Sequence, residues 1–235
     1  MNFRSGAALL VLLFLCSASS AQLVVGATRD DFQPSIYLTD VNGKAIPAKN
    51  AVDVEGSPLL SEDWNTGKVK LRDNRRADSI QLKFNMETNK VYFLRENITY
   101  EFVDDVQEFS MNVWNSGVPG TVTFRNGYPV SGQQNNTTFF EVLAEGPRVQ
   151  LLRHTEKKMT ESYVYNGPAK LSYTTTTTLY VYDSITQRMN KIKLKRSSIT
   201  DALAELEKNI GQLCDQHKWE LKSIDEIKLL VKELK

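Results

Sequence analysis

The stretch GKVKLRDNRRADSIQLKFNM, residues 67–86, decides the fold of this chain. Side chains of a strand point alternately to the two faces of a sheet, so a strand with one buried face carries an apolar residue at every second position. The polar pair Asp73-Asn74 in the middle of the stretch is typical of a tight turn, which joins antiparallel strands. The stretch therefore predicts two strands, whose buried faces hold Val69, Leu71, Ile80, Leu82, Phe84 and Met86.

The same two-residue period continues as far as Lys195, in short apolar runs separated by turn signals such as Asn126-Gly127. The later runs predict separate strands at residues 149–152, around 159–165 and around 191–195. The short spacing favours antiparallel hairpins over βαβ crossovers. We therefore predict an α+β fold, predominantly antiparallel β (a curled sheet, roll or open barrel), with the β domain at residues 59–196. Residues 22–58 form a weakly patterned lead-in. An outer-membrane barrel is disfavoured, because the lysines of residues 191–195 share a strand face that is more simply placed in water.

The period changes in residues 197–235, which we predict to be C-terminal helices. Ser198 with Asp201 resembles a capping box at the start of one helix, and Ser223–Glu226 resembles the start of another. Both apolar stripes need a partner, so we expect these helices to pack on the sheet. Cys214 lies in the first stripe and is expected to be a buried thiol rather than a reactive or intermolecular one. That stripe has the three- and four-residue spacing of a helix: Ile199, Leu203, Leu206, Ile210 and Leu213.

Residues 1–21 have the pattern of a cleavable signal peptide. Arg4 supplies the positive charge, residues 7–15 the short apolar region, and Ser19-x-Ala21 the small residues that predict cleavage between Ala21 and Gln22. Cys16 leaves a lipoprotein as an alternative, although the residue before it is not small. No later apolar run has the 18 or so residues of a spanning helix, so we expect no transmembrane span after signal removal. We expect the chain to be periplasmic, or at the cell surface and extracellular.

Charge and cysteine usage narrow the classes of partner. The chain has 29 Lys and Arg residues and 28 Asp and Glu residues, and removing Arg4 with the signal leaves 28 of each. A formally neutral chain is a poor match for a nucleic-acid partner. Cys214 is the only cysteine beyond the signal, so an internal disulfide is excluded and the core must stabilise the fold.

We identify no catalytic, metal or cofactor site in the sequence. Its two histidines, His154 and His217, lack the spacing of a zinc site, and neither a phosphate-binding glycine loop nor a nucleophile elbow is present. We expect His154 to be exposed at a strand end. Asp104 and Asp105 are adjacent, so in a strand they would point to opposite faces and could not share a substrate.

Four residues are candidates for contact with a ligand or partner: Trp64, Trp114, Arg125 and Tyr128. The aromatic ones lie beside polar residues at predicted strand ends, where they could stack on sugars or peptides. Aromatic side chains that close the end of a β core look the same in a sequence, and that interpretation is preferred. The threonine run at residues 174–178 predicts an exposed or edge strand, because both of its faces are threonine.

Several stretches together resemble a family of exported, uncharacterised proteins from Bacteroidetes-type bacteria. The resemblance covers residues 55–235 and implies export and a bacterial origin, with no activity and no catalytic residue attached. Its segments are Gly56–Leu60 with Asp63-Trp64, Gly67–Leu71, Phe124–Pro129, Phe139–Ala144 and the tail from Lys191 to Leu234.

We therefore expect a non-enzymatic binding or structural module whose partner is a protein, a glycan or an apolar ligand. One alternative is an open-barrel carrier of an apolar ligand, which requires an apolar cavity of several hundred Å³. Another is a hydrolase whose carboxylates converge only in the fold, which requires a cleft with raised carboxyl pKa values.

Overall fold

The computed structural model describes residues 43–45, 54–115, 117–129, 132, 134–163, 169–204 and 210–234. The predicted signal peptide, its cleavage site and most of the lead-in lie outside these ranges. The strands are β1 (Gly43–Ala45), β2 (Val54–Glu55), β3 (Asn65–Leu71), β4 (Arg76–Asn85), β5 (Lys90–Arg95), β6 (Ile98–Phe102), β7 (Val106–Asn115), β8 (Val118–Arg125), β9 (Phe140–Glu145), β10 (Val149–Tyr163), β11 (Ala169–Asp183) and β12 (Arg188–Ile192). The helices are α1 (Arg196–Leu203), α2 (Ile210–His217) and α3 (Ile224–Glu233).

All described strands belong to one sheet, in the order β1-β6-β5-β4-β3-β7-β8-β9-β10-β11-β12. Every neighbouring pair along this path is antiparallel, and only β2 is parallel to its partner, β11. The sheet remains open, since its outermost strands β1 and β12 do not pair. The predicted α+β fold, with a mostly antiparallel sheet and C-terminal helices, is confirmed.

The pattern that predicted β3 and β4 is visible in their burial. Val69 and Leu71 are buried on one face, while Lys68 is exposed on the other. A side chain is excluded at Gly67, near the start of β3, because a Cβ atom there would collide with the carbonyl oxygen of Ser110 on β7. Because Gly67 lies at a β-bulge between β3 and β4, glycine lets the backbones approach closely.

The first core is aromatic and is formed by residues of β3–β8 together with Phe139, which precedes β9. The ring of Phe109 is 5.1 Å from Phe84, 5.0 Å from Phe124 and 5.0 Å from Phe139, measured between centroids. The sheet curls around these rings, so that the end of β4 reaches β10, where the Lys157 N–H donates to the Met86 carbonyl at 3.4 Å.

The second core lies between the three helices and one face of β9–β12. Gly146 is essential to this contact, because a Cβ there would collide with the Val231 carbonyl on α3. Cys214 is fully buried, as predicted, and burial raises the pKa of its thiol. The residues buried there from the C-terminal segment are Ile199, Leu203, Ile210, Cys214, Leu221, Ile227, Leu230, Val231 and Leu234, of which Leu221 and Leu234 lie outside the helices.

The two parts of the sheet meet at β8 and β9, which share only two described ladder pairs, Phe124↔Glu141 and Arg125↔Phe140. The Arg125 guanidinium reinforces this junction by donating to Glu108 on β7 at 2.5 Å and to Glu145 on β9 at 3.0 Å.

Several local predictions were wrong. The separate strands predicted near residues 149–152 and 159–165 are one continuous strand, β10, and the strand predicted at 191–195 is β12, which ends at Ile192. The helix α1 begins at Arg196 with Lys195 as its N-cap, so Ser198 is not a cap; its hydroxyl accepts from the Lys193 N–H. The start of α3 is as predicted, since Ser223 is the N-cap and accepts from the Glu226 N–H.

Candidate functional site

The hairpin of β10 and β11 extends well beyond its neighbours in the sheet. The two strands pair over their whole length, from Val149↔Asp183 to Tyr163↔Ala169. β9 accompanies β10 only as far as Arg153, and β12 accompanies β11 only from Leu179 onward. The outer two thirds of the hairpin therefore carry exposed or half-buried side chains on both faces, and none that is fully buried among the described ones.

A groove of about 290 Å³ lies where this hairpin leaves the rest of the sheet. The strand register explains its lining, because His154 lies opposite Thr178 and Glu156 lies opposite Thr176, so all four share one face. We call it the polar groove, and its lining residues are Gly132, Gln134, His154, Glu156, Thr176, Thr178, Tyr180 and Lys191.

The polar groove adjoins a cluster of buried aromatic and aliphatic residues through Tyr180, which belongs to both. Phe140, Leu152 and Tyr180 are buried there, and Tyr128 packs over them from the connection between β8 and β9. The Tyr128 ring stands edge-on to Phe140 at 5.5 Å, and its hydroxyl donates to Gln150 Oε1 at 2.7 Å. Burial raises the pKa of this hydroxyl. Tyr128 is only 4% exposed, so it closes the core, as the preferred interpretation of these aromatics held.

His154 is the one described histidine in the polar groove. It lies within β10 rather than at a strand end, and it is half-buried against the Phe140 ring at 5.4 Å, so the prediction that it is exposed at a strand end was wrong. Burial lowers the pKa of the imidazole, and the smaller effect of Glu156 opposes it. His154 is therefore neutral at pH 7, and the opposite charges of Glu156 and Lys191 leave the groove without net charge.

Arg125 does not face the polar groove as a free cation. Burial disfavours its charge, but hydrogen bonds to Glu145 and Glu108 outweigh that effect and raise its pKa. Gln150 extends the network, because its amide donates to Glu145 at 2.7 Å while its carbonyl accepts from Tyr128. The structure thus brings Arg125 and Tyr128 together in one polar network, where both stabilise the junction of β8 with β9 and β10.

The two tryptophans lie elsewhere. Trp64 is half-buried just before β3, with the Lys83 ammonium 5.0 Å from the centre of its ring. Trp114 lies near the end of β7 opposite Pro119 and is 72% exposed. The four candidate residues from the sequence therefore do not form one site.

Sequence reasoning missed the polar groove as a site. The threonine run was noticed, but its pairing with His154 and Glu156 depends on the hairpin register, and Gln134 comes from a distant loop. A usable signal was present, since polar residues continue at every second position after Leu152 where a one-sided strand would place apolar ones.

Several carboxylates of the described residues are held by arginines. Asp183 accepts two hydrogen bonds from Arg148, at 2.9 and 2.8 Å, which lower its pKa against the opposing effect of burial. Arg153 holds the buried Glu141 in the same two-pronged way. Asp104 and Asp105 bind different partners, at 3.0 Å to Arg75 and 3.7 Å to Arg72. Among the described residues, no group of three or more His, Cys, Asp or Glu is placed to hold a metal ion.

The fold and the groove define this chain as an open, mostly antiparallel β-sheet protein with a polar groove at the root of its longest hairpin. No family model, no curated protein and no solved structure matches it. Within the described ranges, no helix is both long enough and apolar enough to span a bilayer.

Proposed function

We propose that this chain is an exported, non-enzymatic binding module that engages its partner along the β10–β11 hairpin, in the periplasm or at the cell surface. The observation that carries this proposal is the polar groove, which offers hydrogen-bond donors and acceptors on a regularly paired hairpin. Its lack of net charge at pH 7 favours an uncharged partner surface over a polyanion. The export pattern of residues 1–21 supports the location.

Binding is favoured over catalysis by the state of the acidic groups. A carboxyl general acid needs a pKa raised toward neutrality. Among the described residues, the carboxyl groups whose pKa is shifted, Asp183 among them, are shifted downward by basic neighbours. His154 has Glu156 near it, but the groove that holds them is open and polar rather than closed against water.

Binding is also favoured over carriage of an apolar ligand. The space that an apolar cargo would need inside the curl of the sheet is filled by the rings of Phe84, Phe109, Phe124 and Phe139, whose centroids lie about 5–6 Å apart. Rings at this spacing are in van der Waals contact.

The test uses the chain from Gln22 to Lys235 on arrays that carry both peptides and glycans. We expect selective binding that is lost when Glu156, in the groove, is changed by Glu156→Arg. The matched control is Glu161→Arg, because Glu161 is exposed on the same strand but points to the opposite face. Mass spectrometry of the bound probes checks the non-enzymatic part. Absence of binding, equal binding by both variants, or recovery of cleaved probes would contradict the proposal.

A further inference from the structure

The side of β11 that faces away from β10 is paired at both ends with described strands, and with no described strand between them. β2 pairs with Leu171 and Ser172, and Gly56 then lies against Tyr173. β12 begins its pairing at Leu179. No described strand pairs with Thr174–Thr178 on this side, and we call these five residues the open edge.

The direction in which the backbone N–H and C=O groups of the open edge point follows from a hydrogen bond made by β10 on the opposite side of the hairpin. The Lys157 N–H points away from β11, because it donates to Met86. Lys157↔Thr175 is therefore a non-hydrogen-bonded pair of the β10–β11 ladder, and the Thr175 N–H and C=O must also point away from β10. Since the pattern alternates, Thr177 points outward as well, while Thr176 is bonded to β10. Two residues thus present two outward donors and two outward acceptors.

We propose that the open edge binds a short extended segment of another protein, which adds to the sheet as a strand between β2 and β12. This inference rests on the proposed function and names the class of partner. Main-chain hydrogen bonds to Thr175 and Thr177 supply the affinity, and alternate side chains of the bound segment lie over the polar groove, which Thr176 and Thr178 border. Uncharged threonine neighbours favour small β-branched residues in the segment.

The dimensions of the open edge exclude a second copy of this chain paired through β11. At about 3.3 Å per residue, five residues span roughly 17 Å, bounded by β2 at one end and β12 at the other. β11 itself has 15 residues and carries β2 and β12 along the same side, so two copies would collide at both ends. The occupant must be a segment that is extended for about five residues and then leaves the sheet.

The edge also lacks the usual protection against strand addition. Edge strands are commonly guarded by lysine, proline or a bulge, whereas Thr174–Thr178 contains only threonine and pairs regularly with β10. The side chains of Thr174–Thr177 are exposed. Extended backbone with unguarded polar groups is the feature that peptide-binding sheets use.

The experiment measures binding of an acetylated and amidated peptide of about seven residues that alternates threonine and valine, by fluorescence anisotropy with the chain from Gln22 to Lys235. Thr177→Pro removes one outward N–H without removing a bond to β10, and we expect it to weaken binding at least about tenfold. Thr177→Val is the matched control, because it keeps the backbone groups; we expect its affinity to stay within about threefold. Equal affinity of the two variants, both shown to be folded by circular dichroism, would overturn the inference.

Two further measurements keep the inference testable if the proline variant fails to fold. A peptide whose backbone N–H groups are methylated along one side keeps the N–H groups of its other side free and should bind. A peptide methylated along both sides should not bind. Binding of the second peptide would refute strand addition. In hydrogen exchange, the amides of Thr175 and Thr177 should exchange rapidly in the free protein and slowly with peptide. Protection without peptide would show that the edge is already occupied and would overturn the inference. Glycan binding without peptide binding would overturn it too, while leaving the proposed function intact.

Discussion

Replacing Phe109 by alanine tests whether the aromatic core formed by β3–β8 and Phe139 stabilises the sheet. Phe109 is 1% exposed and its ring lies about 5 Å from three other phenylalanine rings. A buried Phe→Ala change costs roughly 3–5 kcal/mol through lost transfer energy and the cavity left behind. Three ring partners place Phe109→Ala in the upper part of that range, about 4–5 kcal/mol. The stability of a typical domain is only about 5–15 kcal/mol, so the loss is a large fraction of the total.

The assay is equilibrium urea unfolding of the chain from Gln22 to Lys235, followed by far-ultraviolet circular dichroism. The matched control is Trp114→Ala on the same strand, which we expect to change the free energy of unfolding by less than about 0.5 kcal/mol because Trp114 is 72% exposed. Phe109→Leu keeps part of the volume and should cost less than the alanine variant, which keeps the series measurable if alanine prevents folding. A cost below about 2 kcal/mol for Phe109→Ala, or an equal cost at Trp114, would refute the assignment of this core.

Three other outcomes are expected. Because Arg148 lowers the pKa of Asp183 in the folded state, its carboxylate contributes stability above the unfolded pKa of about 4, and that contribution is lost as pH falls toward the folded pKa. Thermal unfolding should therefore separate wild type from Asp183→Asn at pH 7, and the difference should shrink progressively as pH falls below about 4; a constant difference would contradict this. Gly146→Val should detach α3, seen as faster hydrogen exchange there, because a side chain at 146 collides with the Val231 carbonyl; unchanged exchange would refute the close contact. Exported protein should begin at Gln22 by mass spectrometry, whereas a retained leader or a lipidated cysteine would contradict the predicted cleavage.

The strands that could be predicted from the sequence were those with one face in the core and the other in water. β3 and β4 have one face in the core and one in water, so their sequences alternate and the strands were predicted nearly as found. β10 was predicted in two pieces because residues 154–158 are polar on both faces, which removes the period-two signal although the backbone stays paired throughout. A strand that leaves the core looks like a loop in sequence.

The candidate site could not be predicted from local sequence patterns, because its residues are far apart in the chain and meet only through strand pairing. Arg125 is conspicuous in the sequence, but its carboxylate partners Glu108 and Glu145 lie 17 and 20 residues away and meet it only through the strand register. Ser198 was mistaken for a cap because the same hydroxyl chemistry serves the turn between β12 and α1. His154 was predicted to be exposed because the strand was predicted to end near it. The strand β10 instead continues past His154 to Tyr163, and the His154 side chain is half-buried.

The narrow junction of β8 and β9 has a mechanical consequence. Tension applied to the chain before β3 and after α3 loads the contacts between the two parts of the sheet. These are the two β8–β9 ladder pairs, the Arg125 ion pairs, the short β2–β11 pairing and the hydrogen bond from Lys157 to Met86. Rupture there would release the sheet in two steps, since each part retains its own packed interior. We expect stretched molecules to give two extension events, and loss of the Arg125 side chain to lower the force of the first.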